Sequence, residues 1–160
     1  MKKLFAIVIA GSMLSGLYGL SIGLGGAYDG ITETGYFSVR ADVMCKAMPF
    51  LGFRLGLVQV DFPSGTTPMY FGTGISTDVM LFIPMAGMIS PYIPMGVSYS
   101  DAYDVSTLHL KGGLGAEFGF GGFNGYLEGG INFWNIDISG VSGSTNPIYV
   151  QGGVRFPVPL

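Results

Sequence analysis

The sequence predicts an all-β chain folded as an eight-stranded antiparallel up-and-down transmembrane β-barrel, and three observations lead there. In LSIGLGGAY, Leu20 to Tyr28, residues alternate by size: Leu20, Ile22, Leu24, Gly26 and Tyr28 share one parity, and Ser21, Gly23, Gly25 and Ala27 the other. A period of two is that of a strand, whose successive side chains point to opposite faces. The second face is small, not charged, so bulk water does not bound it. Composition agrees: charged residues make up 11% of the chain, against about 25% in an ordinary soluble domain, with 28 glycines and a mean hydropathy of +0.52. Beyond the N-terminus no apolar run approaches the roughly 20 residues of a membrane helix, so a chain this oily must cross as strands.

The elements follow in order. MKKLFAIVIAGSMLSGLYG places Lys2 and Lys3 before an apolar stretch from Leu4 to Leu14, the layout of an export signal. Residues 1–19 therefore read as a signal peptide and 20–160 as a single barrel domain. Eight strand-like segments lie roughly at 18–28, 35–46, 50–62, 69–83, 92–100, 106–120, 123–138 and 148–158. Most satisfy the roughly 9 to 11 residues that cross a bilayer when tilted. Connectors after the second, fourth and sixth segments carry no charge, whereas those after the first, third, fifth and seventh are polar. A meander whose ends emerge alternately on two sides has this pattern.

Parity repeats along the chain. In the second segment Phe37, Val39, Ala41, Val43 and Cys45 oppose Ser38, Arg40, Asp42, Met44 and Lys46, and in the fourth Thr77, Val79, Leu81 and Ile83 oppose Ser76 and Asp78. A soluble lipocalin-like barrel and a membrane barrel could both alternate so. A soluble exterior would be about 25 to 35% charged, yet after Gly19 only Arg40, Lys46, Arg54, Lys111 and Arg155 are basic. The small face fits a narrow lumen and the large face fits lipid. Aromatics divide between the two ends, with Phe37, Phe62, Phe133 and Tyr149 toward the polar connectors and Phe50, Tyr92, Phe120, Tyr126 and Phe156 toward the others. Two interfacial girdles are expected from them.

With its signal, strand count, tight turns and C-terminal YVQGGVRFPV, the chain resembles the small eight-stranded outer-membrane barrels of the OmpA and OmpX type over nearly its whole mature length. Tyr149, Gly152, Val154 and Phe156 match in spirit the final-strand signal that the outer-membrane insertion machinery reads, although ProValProLeu follows where an aromatic would end the chain. The resemblance implies an outer-membrane location, contact with outer-membrane lipids and lipopolysaccharide, assembly by that machinery, and a monomer.

By parity Arg40, Asp42, Lys46, Arg54, Asp78, Lys111, Glu117, Glu128 and Arg155 point inward. Buried charges must pair, and in so narrow a lumen they form a plug. Arg54 is expected to bridge Asp42 and Asp78, with cross-lumen pairing to Glu117 or Glu128 as the alternative. Asp29, Glu33, Asp61, Asp101, Asp104 and Asp137 flank the polar connectors without a basic neighbour. They make an acidic rim, solvated or able to hold divalent cations, and the same charge sign disfavours nucleic acid. His109, the sole histidine, has Ser98, Ser100, Ser106, Asp101 and Asp104 within ten residues, but Ser and Asp suit any loop and parity turns His109 inward. No catalysis is read from them and no cofactor is called for. Cys45 is the only cysteine, which rules out an intramolecular disulfide. The function expected is a structural or surface-interaction barrel with a plugged lumen. Alternatives are a narrow channel, a conduit for a small apolar ligand, or a lipid-modifying membrane enzyme.

Overall fold

The computed structural model describes residues 19–30, 35–63, 70–72, 75–85, 87–102, 105–138 and 141–159. The segment read as an export signal lies outside them up to residue 18. Ten strand segments make up the described structure: β1 (Gly19–Gly30), β2 (Tyr36–Met48), β3 (Leu51–Pro63), β4 (Tyr70–Gly72), β5 (Ile75–Phe82), β6 (Ile89–Ala102), β7 (Val105–Gly119), β8 (Asn124–Ile138), β9 (Val141–Thr145) and β10 (Ile148–Val158). Each pairs antiparallel with its neighbours. β4 and β5 both lie along β3, and β9 and β10 both lie along β8, so each couple is one barrel strand in two pieces. Pairing of β1 with β10, from Leu20↔Val158 to Gly30↔Ile148, closes the sheet. The result is an eight-stranded, all-antiparallel barrel, which has no open edge to leave unbonded in hydrocarbon.

The structure departs from the expected segments most at β6 and β9. β6 begins at Ile89, three residues before Tyr92, because Ser90 and Pro91 continue the strand although their composition reads as a turn. The Pro91 carbonyl accepts the Ile83 amide at 2.8 Å, which ties the turn to the wall. β9 is an added segment in a region read as loop.

Facing follows chemistry. Leu24, Val39, Leu81, Leu110, Leu114 and Val150 are exposed on the outer face, Leu114 at 70%. Inside, Met44, Met80, Phe82 and Tyr92 form a buried apolar cluster near the turn end. One irregularity resets the parity: Ala41 pairs with Val58 and Asp42 with Gly56, so Leu57 is the extra residue of a β-bulge. Leu57 and Val58 both face outward, 56% and 52% exposed. Beyond the bulge Gln59 and Asp61 therefore turn inward. At the turn end, the Phe120–Phe123 hairpin needs a left-handed residue, which Gly121 supplies at φ 85°.

Candidate functional site: the charged lumen

Strand alternation sends five cations and six carboxylates of the described residues into the barrel, where they bond in three tiers. Glu128 on β8 is the hub of the middle tier. Its carboxylate accepts from Arg54 Nη2 at 3.1 Å, Tyr92 Oη at 3.1 Å, Tyr149 Oη at 3.0 Å and Gln151 Nε2 at 2.8 Å. Arg54 Nε also donates to Asp78 at 2.6 Å, and Lys111 Nζ to the same carboxylate at 2.9 Å. Arg54 thus joins Asp78 on the strand beside it to Glu128 across the lumen. The expected Arg54–Asp42 link is not made, because stagger brings Asp42 to Arg155 instead, at 3.7 Å.

The tier nearer the turns joins Arg155 to Glu117, which also takes Lys46 Nζ at 3.0 Å. The Arg155 guanidinium lies 4.1 Å from the Tyr126 ring centroid and Lys46 Nζ 4.0 Å from that of Phe82, geometry in which a ring face attracts a cation. In the third tier, toward the polar connectors, Arg40 binds Asp29 at 3.1 Å and Gln151 at 3.2 Å. Asn132 donates to Asp29 as well, and Gln59 to Asp61 at 2.6 Å. Gln151 touches both Arg40 and Glu128, so the upper and middle tiers form one network.

The small inner parity explains how these partners meet. Asp42, Gly23 and Arg155 occupy one row across β2, β1 and β10. The row Asp78, Gly96, Lys111 crosses β5, β6 and β7, and the row Tyr92, Gly115, Glu128 crosses β6, β7 and β8. In each case glycine stands between two residues that reach for one another over its backbone. A Cβ on Gly23 would lie 2.5 Å from Asp42 Oδ1, and one on Gly115 would enter the Tyr92 ring. The glycine face is therefore space already filled from neighbouring strands.

All nine inward charges named from parity lie in the lumen and take part in these pairs. The acidic rim fares differently. Asp29 and Asp61 are buried inside the wall, 1% and 4% exposed, and so are not rim residues. Asp29 continues the parity of Ser21, Gly23, Gly25 and Ala27 by one more step, and the Leu57 bulge turns Asp61 inward. Glu33 and Asp104 lie outside the described residues, and Asp101 and Asp137 are described by backbone alone. Among the described residues no three of His, Cys, Asp and Glu are grouped to hold a metal. Three tyrosines also move: Tyr92, Tyr126 and Tyr149 are buried lumen residues and not girdle residues. Their hydroxyls need polar partners once buried, and for Tyr92 and Tyr149 that partner is Glu128. His109 is half-buried in the wall, in register with Ser98 on β6 and Trp134 on β8.

No protein-family model and no curated protein matches the chain. Among solved structures it is similar to Neisserial surface protein A at 14% identity, covering 86% of this chain and 94% of that one, with a TM-score of 0.53. It is also similar to a major outer membrane protein from Thermus thermophilus at 13% identity, covering 88% and 100% respectively, with a TM-score of 0.49. The first of these likenesses is one of fold, and it agrees with the strand count, closure and facing described above. The chain has the fold of an eight-stranded outer-membrane β-barrel.

Proposed function

We propose that this chain is an outer-membrane barrel whose lumen is plugged by its own charge network, and that it serves a structural or surface-interaction role through its polar connectors. The observation that carries the reading is Glu128, 1% exposed, with donors from β3, β6 and β10 converging on one carboxylate. An ion path needs space and loosely held charges, whereas every inward cation here is paired to a carboxylate and the gaps are filled by Met80, Tyr92 and Tyr149. The likeness to a surface protein supports the same role. Kinship with the OmpA and OmpX type, export by a signal peptide, assembly by the insertion machinery, contact with lipopolysaccharide and a monomeric state belong to this proposal. So does the absence of catalysis.

Conductance in planar bilayers tests the plug. The wild-type protein should give no steady channel activity, and Glu128→Ala should give openings by releasing Arg54, Tyr149 and Gln151 together. Steady conduction by the wild type would overturn the plug in favour of a narrow channel. Folding is checked in the same preparation by the shift between unheated and boiled samples on a gel, and a protein that stays soluble without detergent would not be a membrane barrel.

A further inference from the structure

Resting on the membrane-barrel reading, we propose that the uncharged turn end of the barrel lies inside the lipid interface of one leaflet, with lipid itself as its partner, and does not project into water. Residues 47–50, 83–90, 118–123 and 156–159 contain no Asp, Glu, Lys, Arg or His. Several of their side chains are nonetheless turned out: Met88 is 72% exposed, Met85 61%, Phe120 58% and Phe50 50%. Isolated apolar residues at a surface need no explanation, but a contiguous set of this size marks a contact. The cations that flank these turns are held inside, Lys46 by Glu117 and the Phe82 ring and Arg155 by Glu117.

Height decides which contact. Tyr28, Phe37 and Phe62 stand in one outward row toward the far end, with Phe37 and Phe62 6.0 Å apart between ring centroids. From Phe37 down β2 to Met48 the tilted wall spans roughly 29 Å, against about 25 Å for the apolar band of such barrels. The lipid-facing ladder therefore ends where the turn begins, and the apolar turns extend the belt into the next layer without a break. A protein partner would look for hydrogen-bonding groups around its seat. Among the described residues the exposed turn side chains, Met, Phe, Ile and Pro, have none. Methionine and phenylalanine suit a fluid apolar interface, which sets no fixed geometry.

Single-tryptophan proteins reconstituted in phosphatidylcholine vesicles at low protein content read the depth directly. On a Trp134→Phe background, tryptophan is placed at Met88 or Met85 in the turn, at Leu114 in the belt and at the exposed Ser144 of β9. Lipids brominated high or low in the acyl chain quench from within the membrane, and acrylamide quenches from water. The Met88→Trp and Met85→Trp proteins should be quenched most by the shallow bromines and be several-fold less open to acrylamide than Ser144→Trp. Acrylamide access equal to that of Ser144→Trp, with no bromine effect, would overturn the inference. Shielding from both quenchers would overturn it too, in favour of a second copy seated on the turns. The underlying reading fails separately, if Leu114→Trp is untouched by either bromolipid.

Discussion

Glycine stands on both faces of the barrel wall and does opposite work there. Inside, Gly23, Gly96 and Gly115 each separate two residues of a bonded row, and an added methyl would strike Asp42, Asp78 or Tyr92. Outside, Gly112 has open space where its Cβ would be. The inner glycines make room for specific partners, whereas Gly112 only keeps the lipid face low. The inner rows are fixed by pairwise chemistry, whereas most outer positions need only be apolar; Gly26, whose Cβ would lie 3.0 Å from the Phe37 ring, is an outer position that a neighbour also constrains.

The largest break in that contrast is expected at the inner hub. Glu128→Ala leaves Arg54 and Lys111 with Asp78 as their shared carboxylate, and removing one member of a buried pair costs about 3 to 5 kcal/mol. Urea unfolding in lipid vesicles should show the full loss for Glu128→Ala. Glu128→Gln, which keeps an acceptor for Tyr92, should lose less. On the outer face Leu114→Arg places a charge near mid-belt and should cost about 2 to 4 kcal/mol, while Ile148→Arg, beside the outer interface, should cost about 0 to 1 kcal/mol. Equal losses at the two sites would mean that depth in a bilayer does not govern this face.

The glycines themselves sharpen the comparison. Gly23→Ala forces Asp42 away from Arg155, and overpacking of this kind costs about 1 to 3 kcal/mol. Gly112→Ala meets nothing and should stay within about 0.5 kcal/mol of wild type. Thermal or urea midpoints for the pair check both, and a loss at Gly112 as large as that at Gly23 would remove the distinction.

Much of this wall was legible in the sequence because a period of two survives any uncertainty about strand ends. Arg40, Asp42 and Lys46 could be sent inward from β2 alone, as could Asp78 from β5. Partnership could not, since it depends on stagger between strands. Arg54 lies opposite Asp78 by register but reaches Glu128 only because the barrel closes. Tyr149 sat on the inward parity of its own strand, yet as an aromatic near a strand end it read equally as a girdle residue. Proline misled in β6, where Pro91 reads as the end of a turn but pairs with Ala116 inside the strand, and a little farther along the β6–β7 ladder merely skips Ile93 and Pro94. A missing N–H interrupts pairing there without ending the strand.

The Leu57 bulge carries a consequence for changes in chain length. In an alternating wall, gain or loss of one residue swaps every later side chain between lipid and lumen. At β3 the swap is already absorbed, because Leu57 and Val58 face the same way. Excising Leu57 would straighten the strand and still leave Gln59 and Asp61 inside and Val60 and Phe62 outside. Deletion of Leu57 should therefore be tolerated, and homologous chains one residue shorter should have their gap there.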